Sequence, residues 1–255
     1  MNRHDSSPFR GALIKKGFSM VRLDKLISAT LVISRKDATV AIKKGRVTVN
    51  GEVMKKADAK VDADNDKITF DGESIAYSEH IYIMLNKPKG LVCTSEDRKD
   101  NTVISLFPIE YTDKGISCVG RLDKDTTGLL IVTNDGALAH KLLSPKSQKE
   151  KVYYVTADKP FTEADKDTML KGIVIEGKNT APAKLSLIEG QPENAYVTLT
   201  EGKFHEVKRL CYACGEKEVL ELKRTEFCGL KLDEALDEGE WRNLTSDEVE
   251  ILMKQ

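Results

Sequence analysis

Apolar and polar positions along the chain fall into two blocks of different texture. In the first, Arg22-Leu23-Asp24-Lys25-Leu26-Ile27 opens a short amphipathic helix. Ser34 is a natural N-cap for a second helix, Arg35 to Lys44, whose Ala38, Ala41 and Ile42 share one side and whose stop is Gly45. Arg46-Val47-Thr48-Val49 then alternates as a strand, Asn50-Gly51 is a tight-turn signal before Glu52-Val53-Met54, and a third strand is expected at Lys67 to Phe70. Tyr77 to His80 reads as a linker. Beyond it, strands are predicted at Ile81–Leu85, Gly90–Thr94, Leu129–Thr133, Val152–Thr156, Lys184–Ile188, Tyr196–Thr200 and Val219–Leu222. Helices are predicted at Ala137–Leu143, Thr162–Lys171, Phe204–Cys214 and Ser246–Lys254. Strands outnumber helices without strict alternation, which indicates an α+β domain on an antiparallel or mixed sheet.

Composition narrows the class. The 255 residues are 40% hydrophobic and 32% charged, with no apolar run approaching a membrane span. Residues 1–19 form a polar, basic extension expected to be disordered and not a secretory leader. Five scattered Cys and no export signal suggest a reducing, cytoplasmic setting. Cys211 and Cys214 share a helical face with Val207 and Leu210, so they read as core thiols, and no second pair completes a metal site. Net charge is −1 overall, yet residues 1–60 carry 14 Lys and Arg against 5 Asp and Glu. That front half suits a polyanion, with Arg22, Lys25, Arg35, Lys36, Lys43, Lys44 and Arg46 as candidate phosphate contacts.

Three clusters in the second block can carry chemistry. Gly120-Arg121-Leu122-Asp123-Lys124-Asp125-Thr126-Thr127-Gly128 leads into the apolar run Leu129 to Val132, so Asp123 sits in a loop feeding a buried strand. Glu150-Lys151-Val152-Tyr153 puts an aromatic on a strand, and Glu201 to Leu210 brings a glycine turn into a basic helix. A carboxylate working in a cleft stays ionised beside a cation, here Lys208 or Arg209, and an unstacked RNA base needs an aromatic such as Tyr153 to lie on. His205 stands near no Ser or Cys nucleophile and is weak evidence for a general base. Read from spacing alone, Asp123 is equally a turn residue, Tyr153 an ordinary strand aromatic and the two cations a solvated helix face.

The first block resembles the small RNA-binding domain of the ribosomal small-subunit protein four, through Arg22-Leu23-Asp24-Lys25, Ser34-Arg35 and Gly45 to Gly51. In the second, GRLDKDTTGLLIVTNDG at Gly120–Gly136 is similar to the signature of the pseudouridine synthases of the RsuA/RluB type. Asn86-Lys87-Pro88-Lys89-Gly90, Glu150 to Tyr153 and Glu201 to Leu210 resemble that family's other motifs, with Phe204 and Glu206 where RsuA-like sequences often have Tyr and Gln. The resemblance implies an RNA-binding domain at 20–76 and a catalytic domain at 81–255. It implies isomerisation of a uridine in ribosomal RNA without cofactor or metal. Asp123 would be the catalytic carboxylate, Tyr153 would stack on the flipped uracil, and Lys208, or else Arg209, would pair with Asp123. Arg121 would fill the vacated space or hold a phosphate, and Leu210 would pack the pocket floor. The substrate it points to is 16S rRNA or the assembling small subunit, met by a monomer. The alternatives are a 23S rRNA synthase of the RluB, RluE or RluF type and a non-catalytic RNA-binding assembly protein.

Overall fold

The computed structural model describes residues 20–63, 65–75, 80–94, 101–144, 147–175 and 177–254. The expected disorder of residues 1–19 and most of the expected linker lie outside them. The chain divides into two compact units. The described residues up to Ile81 group with Pro108–Gly115 and Leu244–Val249, and the second unit takes the remainder, so neither unit is one continuous segment.

In the first unit, strand β1 (Met20–Arg22) runs into helix α1 (Leu23–Thr30), followed by α2 (Arg35–Lys43), β2 (Val47–Val49), β3 (Glu52–Val53), β4 (Lys60–Asp62), β5 (Ile68–Phe70) and β6 (Glu73–Ile75). Strands β2, β3, β5 and β6 form an antiparallel sheet in the order β3-β2-β5-β6, and β1 pairs with β4. Ser34 caps α2 by accepting the Asp37 N–H at 3.1 Å. Leu23, Leu26, Ile27, Ala38, Ile42, Val47 and Ile68 close a single core. Short helix α3 (Ile109–Thr112) also belongs to this unit.

The second unit is built on one nine-stranded sheet. Its strands are β7 (Tyr82–Lys87), β8 (Ser117–Cys118), β9 (Thr127–Thr133), β10 (Lys151–Ala157), β13 (Lys184–Leu187), β14 (Asn194–Leu199), β15 (Val219–Phe227), β16 (Leu230–Lys231) and β17 (Trp241–Asn243), with β11 (Val174–Ile175) and β12 (Lys178–Asn179) as a separate ribbon. The main path is β13-β14-β10-β15-β9-β7-β17. Every pair on it is antiparallel except β9 with β15, where Thr127 faces Lys223 and Gly128 faces Arg224. Every residue of β7 and β9 is buried, which places both strands between covering layers and explains their unbroken apolar runs. Helices α4 (Gly136–Leu143), α5 (Glu163–Lys171) and α6 (Glu206–Ala213) complete the unit, and a last helix spans Ser246–Met253.

The expected α+β class with a mixed sheet is what the chain adopts. The strand expected at Gly90–Thr94 does not form. Gly90 turns the chain at φ +91°, and only Val92 makes a bridge, to Thr102. The helix expected from Phe204 starts at Glu206, because His205 occupies the left-handed region at φ 53°, ψ 33°.

Candidate active site

Asp123 lies in the turn between β8 and β9, and that turn is tied down from several directions. The Thr126 N–H donates to the Asp123 carbonyl at 3.1 Å, and the Gly90 N–H to the Lys124 carbonyl at 2.7 Å. The Leu122 N–H donates to Cys93 Sγ at 3.4 Å. Behind the turn is Lys87, fully buried, whose ammonium donates to the carbonyls of Pro88 (3.0 Å), Lys124 (3.4 Å) and Thr126 (2.9 Å). Burial depresses the Lys87 pKa, while Cys93, Asp125 and Asp123 oppose that shift. A buried ammonium feeding three carbonyls holds the loop in one shape, which is how a scaffold fixes a reactive side chain. Nothing in the sequence around Lys87 signals this role, since a Lys is ordinarily a surface residue.

Two adjoining concavities share Arg121, Leu122, Asp123, Gly202, Lys203 and His205. The larger encloses about 920 Å³. The smaller adds Tyr153, Val207, Lys208, Leu199 and Leu222. The Asp123 side chain is 30% exposed, with Oδ2 at 3.7 Å from His205 Nε2 and 3.9 Å from Lys208 Nζ. Lys208 is bound more tightly to Asp125, at 2.8 and 2.7 Å. One ammonium thus bridges two carboxylates, and Asp125 holds it in place.

Tyr153 is buried on β10 and lines the smaller concavity with Asp123. Arg209 goes elsewhere. Its guanidinium lies 5.6 Å over the exposed Phe204 ring, which in turn stacks on His205 at 3.7 Å and 22°. Of the two cations weighed as the partner of Asp123, only Lys208 comes within ion-pair range. Leu210 is fully buried but lines neither concavity; Leu199, Val207 and Leu222 supply the apolar wall instead. Lys203, lining both concavities, was passed over in the sequence; its ammonium binds Glu201 (2.7 Å) and the Asn179 carbonyl (2.9 Å). Its position after Gly202, on the entry to the basic helix, was the available signal.

In the first unit, Arg22, Arg35 and Arg46 keep half-exposed side chains but are each ion-paired. Asp24, buried, holds Arg22 at 2.8 Å and Arg35 at 3.2 Å, and Asp71 holds Arg46. Lys25, Lys36, Lys43 and Lys44 are exposed. Among the described residues, no group of three or more His, Cys, Asp or Glu is placed to hold a metal, and no helix is long and apolar enough to cross a membrane.

Glu206 is a buried acid in the wall of this site. Its Oε2 accepts the Lys203 N–H at 2.7 Å, while Oε1 has no donor and faces Glu201. Burial and that second carboxyl push Glu206 up to about 7 from its ordinary 4.5. A raised folded-state pKa contributes stability that is complete below about 4.5 and lost as pH rises through about 7. Glu206→Gln, neutral at every pH, is expected to flatten that fall. Melting temperature measured from pH 4 to 8 checks this, and parallel profiles for the two proteins would contradict it.

Comparison with known proteins gives one consistent answer. A family model described as RNA pseudouridylate synthase matches residues 81–213, and an S4 domain model matches residues 21–68. A ribosomal small subunit pseudouridine synthase A from Haemophilus influenzae is 39% identical, the match covering 92% of this chain and 100% of the relative. The protein of the same name from Escherichia coli K12 is 38% identical over 90% of this chain and 98% of its own. An uncharacterized RNA pseudouridine synthase of Bacillus subtilis is 40% identical over 91% and 98%. A crystal structure of a pseudouridylate synthase superposes with a TM-score of 0.63 at 38% identity, covering 91% of this chain and 99% of that one.

Proposed function

The chain belongs to the RNA pseudouridine synthase family, with an S4 domain in front of the catalytic fold, and from that premise we propose that it isomerises one uridine of 16S rRNA in the cytoplasm, acting as a monomer. In this reaction the bond from ribose to N1 breaks, the uracil turns, and carbon 5 joins the sugar while its proton is lost. Reactant and product have the same composition, so the chemistry asks for a positioned carboxylate and a place for the base to turn, not for an added electron or group.

The observation that carries the reading is one concavity lined by Asp123, Tyr153 and Lys208 together, with Asp123 on a turn that Lys87 rigidifies. Asp123 is the group that attacks carbon 6 of the base or the anomeric carbon, or assists cleavage. Tyr153 offers its ring to the extruded uracil. Lys208, steadied by Asp125, sets its positive charge 3.9 Å from the Asp123 carboxylate. Arg121, exposed at the rim of both concavities, takes the vacated place in the helix or a flanking phosphate. Arg209 serves the RNA side through the Phe204 face. Lys25, Lys36, Lys43 and the half-exposed Arg22, Arg35 and Arg46 grip phosphates, so affinity falls with salt.

Lys208→Met is therefore expected to cut turnover by about tenfold to a hundredfold, with Arg209→Met acting mainly on KM. Single-turnover rates with saturating RNA distinguish the two, and the reverse assignment would move the cation role to Arg209. The target is tested by mapping pseudouridine in both ribosomal RNAs of a deletion strain by carbodiimide primer extension. Loss of one 16S site, restored by the gene, is expected. Loss confined to 23S rRNA would replace the proposed substrate.

A further inference from the structure

Two of the five cysteines stand apart from the rest. Cys93 and Cys118 both line the larger concavity beside Arg121, Leu122 and Asp123, and each is the strongest influence on the other's acidity. Cys118 belongs to β8, which pairs with β9, and Cys93 follows the bridge at Val92. The residue that donates its N–H to Cys93 Sγ is Leu122, the immediate neighbour of Asp123. The other three cysteines, Cys211, Cys214 and Cys228, are buried and line neither concavity.

The electrostatics separate the same pair. The Cys118 thiol, the Leu122 N–H and the buried cations Lys87 and Arg224 bring Cys93 down to about 6, against burial. Cys118 is pushed upward by its neighbour and by burial. Burial pushes Cys211 up to about 12, and Cys214 and Cys228 up to about 11. Only thiolate sulfur is a good nucleophile, and a resolving thiol alongside turns a first oxidation into a disulfide.

We propose that Cys93 and Cys118 form a thiol modification site for small peroxide-class oxidants, closing to a disulfide on the wall of the concavity that holds Asp123. The Cys93 thiolate attacks one peroxide oxygen, the O–O bond breaks, and the second oxygen leaves as hydroxide and takes a proton to become water. The oxygen kept by Cys93 retains its own hydrogen, which gives the sulfenic acid. The Cys118 sulfur then attacks the Cys93 sulfur, the S–O bond breaks, and the departing hydroxide leaves as water with the Cys118 proton. Two thiols are oxidised by two electrons and the peroxide is reduced to two waters. A disulfide sulfur is neutral, so Leu122 loses its charged acceptor and Lys87 and Arg224 lose a nearby negative charge, next to the turn that presents Asp123. The cross-link does not depend on the proposed function; its effect on activity rests on it.

The test uses the full chain, reduced, freed of reductant and treated with hydrogen peroxide. Non-reducing peptide mapping is expected to recover a Cys93–Cys118 cross-link before any product at the other three cysteines. Cys118→Ser should stop at a dimedone-trappable sulfenic acid on Cys93, and Cys93→Ser should leave Cys118 reduced at the same dose. Oxidised enzyme should lose about tenfold or more of its activity relative to the same sample reduced again with dithiothreitol. Equal oxidation of all five cysteines, or no cross-link, would overturn the site. A quantitative cross-link with activity unchanged would overturn its consequence. Inactivity of the reduced enzyme on every RNA would instead indict the functional reading and leave the cross-link result standing.

Discussion

Replacing Asp123 by Asn is expected to lower turnover by about a thousandfold or more, a barrier increase of about 4 kcal/mol, while RNA affinity stays within about twofold. The substitution keeps size and shape, so the turn, held through main-chain carbonyls by Lys87 and through the Leu122 amide by Cys93, has no reason to move. What disappears is the negative charge, and with it the group proposed to attack or to assist cleavage. Lys208 keeps its tighter partner Asp125 and is not stranded. A filter-binding titration alongside single-turnover assays separates chemistry from grip. An Asn variant with wild-type turnover would remove Asp123 from the mechanism.

The largest effect on stability is expected at Gly128. Its φ of +99° lies where side chains rarely go, and a Cβ built there would meet the Arg224 carbonyl oxygen at 2.3 Å and its nitrogen at 2.8 Å. Those are main-chain atoms of β15, so the neighbour cannot swing aside. Gly128 and Thr127 provide the two register pairs that join β9 to β15, and Arg224 reaches back from the same point to donate to the Leu129 carbonyl at 2.8 Å. Gly128→Ala would wedge the sheet open directly after the turn bearing Asp123. The expected cost is on the order of 3 kcal/mol, or a fall in Tm of about 10 °C. Calorimetry checks it, and a Tm within about 2 °C of wild type would mean the backbone relaxes without loss.

Much of this architecture is legible because local chemistry and tertiary role agree. Val47-Thr48-Val49 followed by Asn50-Gly51 forms the β2–β3 hairpin it announces, with Gly51 at φ +88°. Val207, Leu210, Cys211 and Cys214 share a helical face and are buried together. Asp123 and Tyr153, 30 positions apart, arrive in one concavity. The parallel joining of β9 to β15 had no local signal, since it pairs segments nearly 100 positions apart at just two residues. Residue type misled elsewhere. Lys87 and Arg224 are charged and fully or almost fully buried, each donating to carbonyls that come into place only on folding, while Arg224 Nη2 finds no acceptor among the described residues. Two adjacent cations, Lys208 and Arg209, are indistinguishable as text. On a helix, neighbours point about 100° apart, so one reaches Asp123 and the other Phe204. The thiol pair has no local signal, because one half lies in the bend after Val92 and the other on β8, and neither has a motif.

The central claim is that this chain converts a uridine of small-subunit RNA through Asp123. Since carbon 5 must shed its hydrogen when it joins the sugar, a 16S transcript tritiated at carbon 5 of its uridines reports each conversion as tritium released to water. Purified enzyme is predicted to release one uridine's equivalent of tritium per 16S RNA and none from 23S RNA, and Asp123→Asn to release none from either. Release by the Asn variant at the wild-type rate, or by the wild-type enzyme from 23S RNA alone, would contradict it.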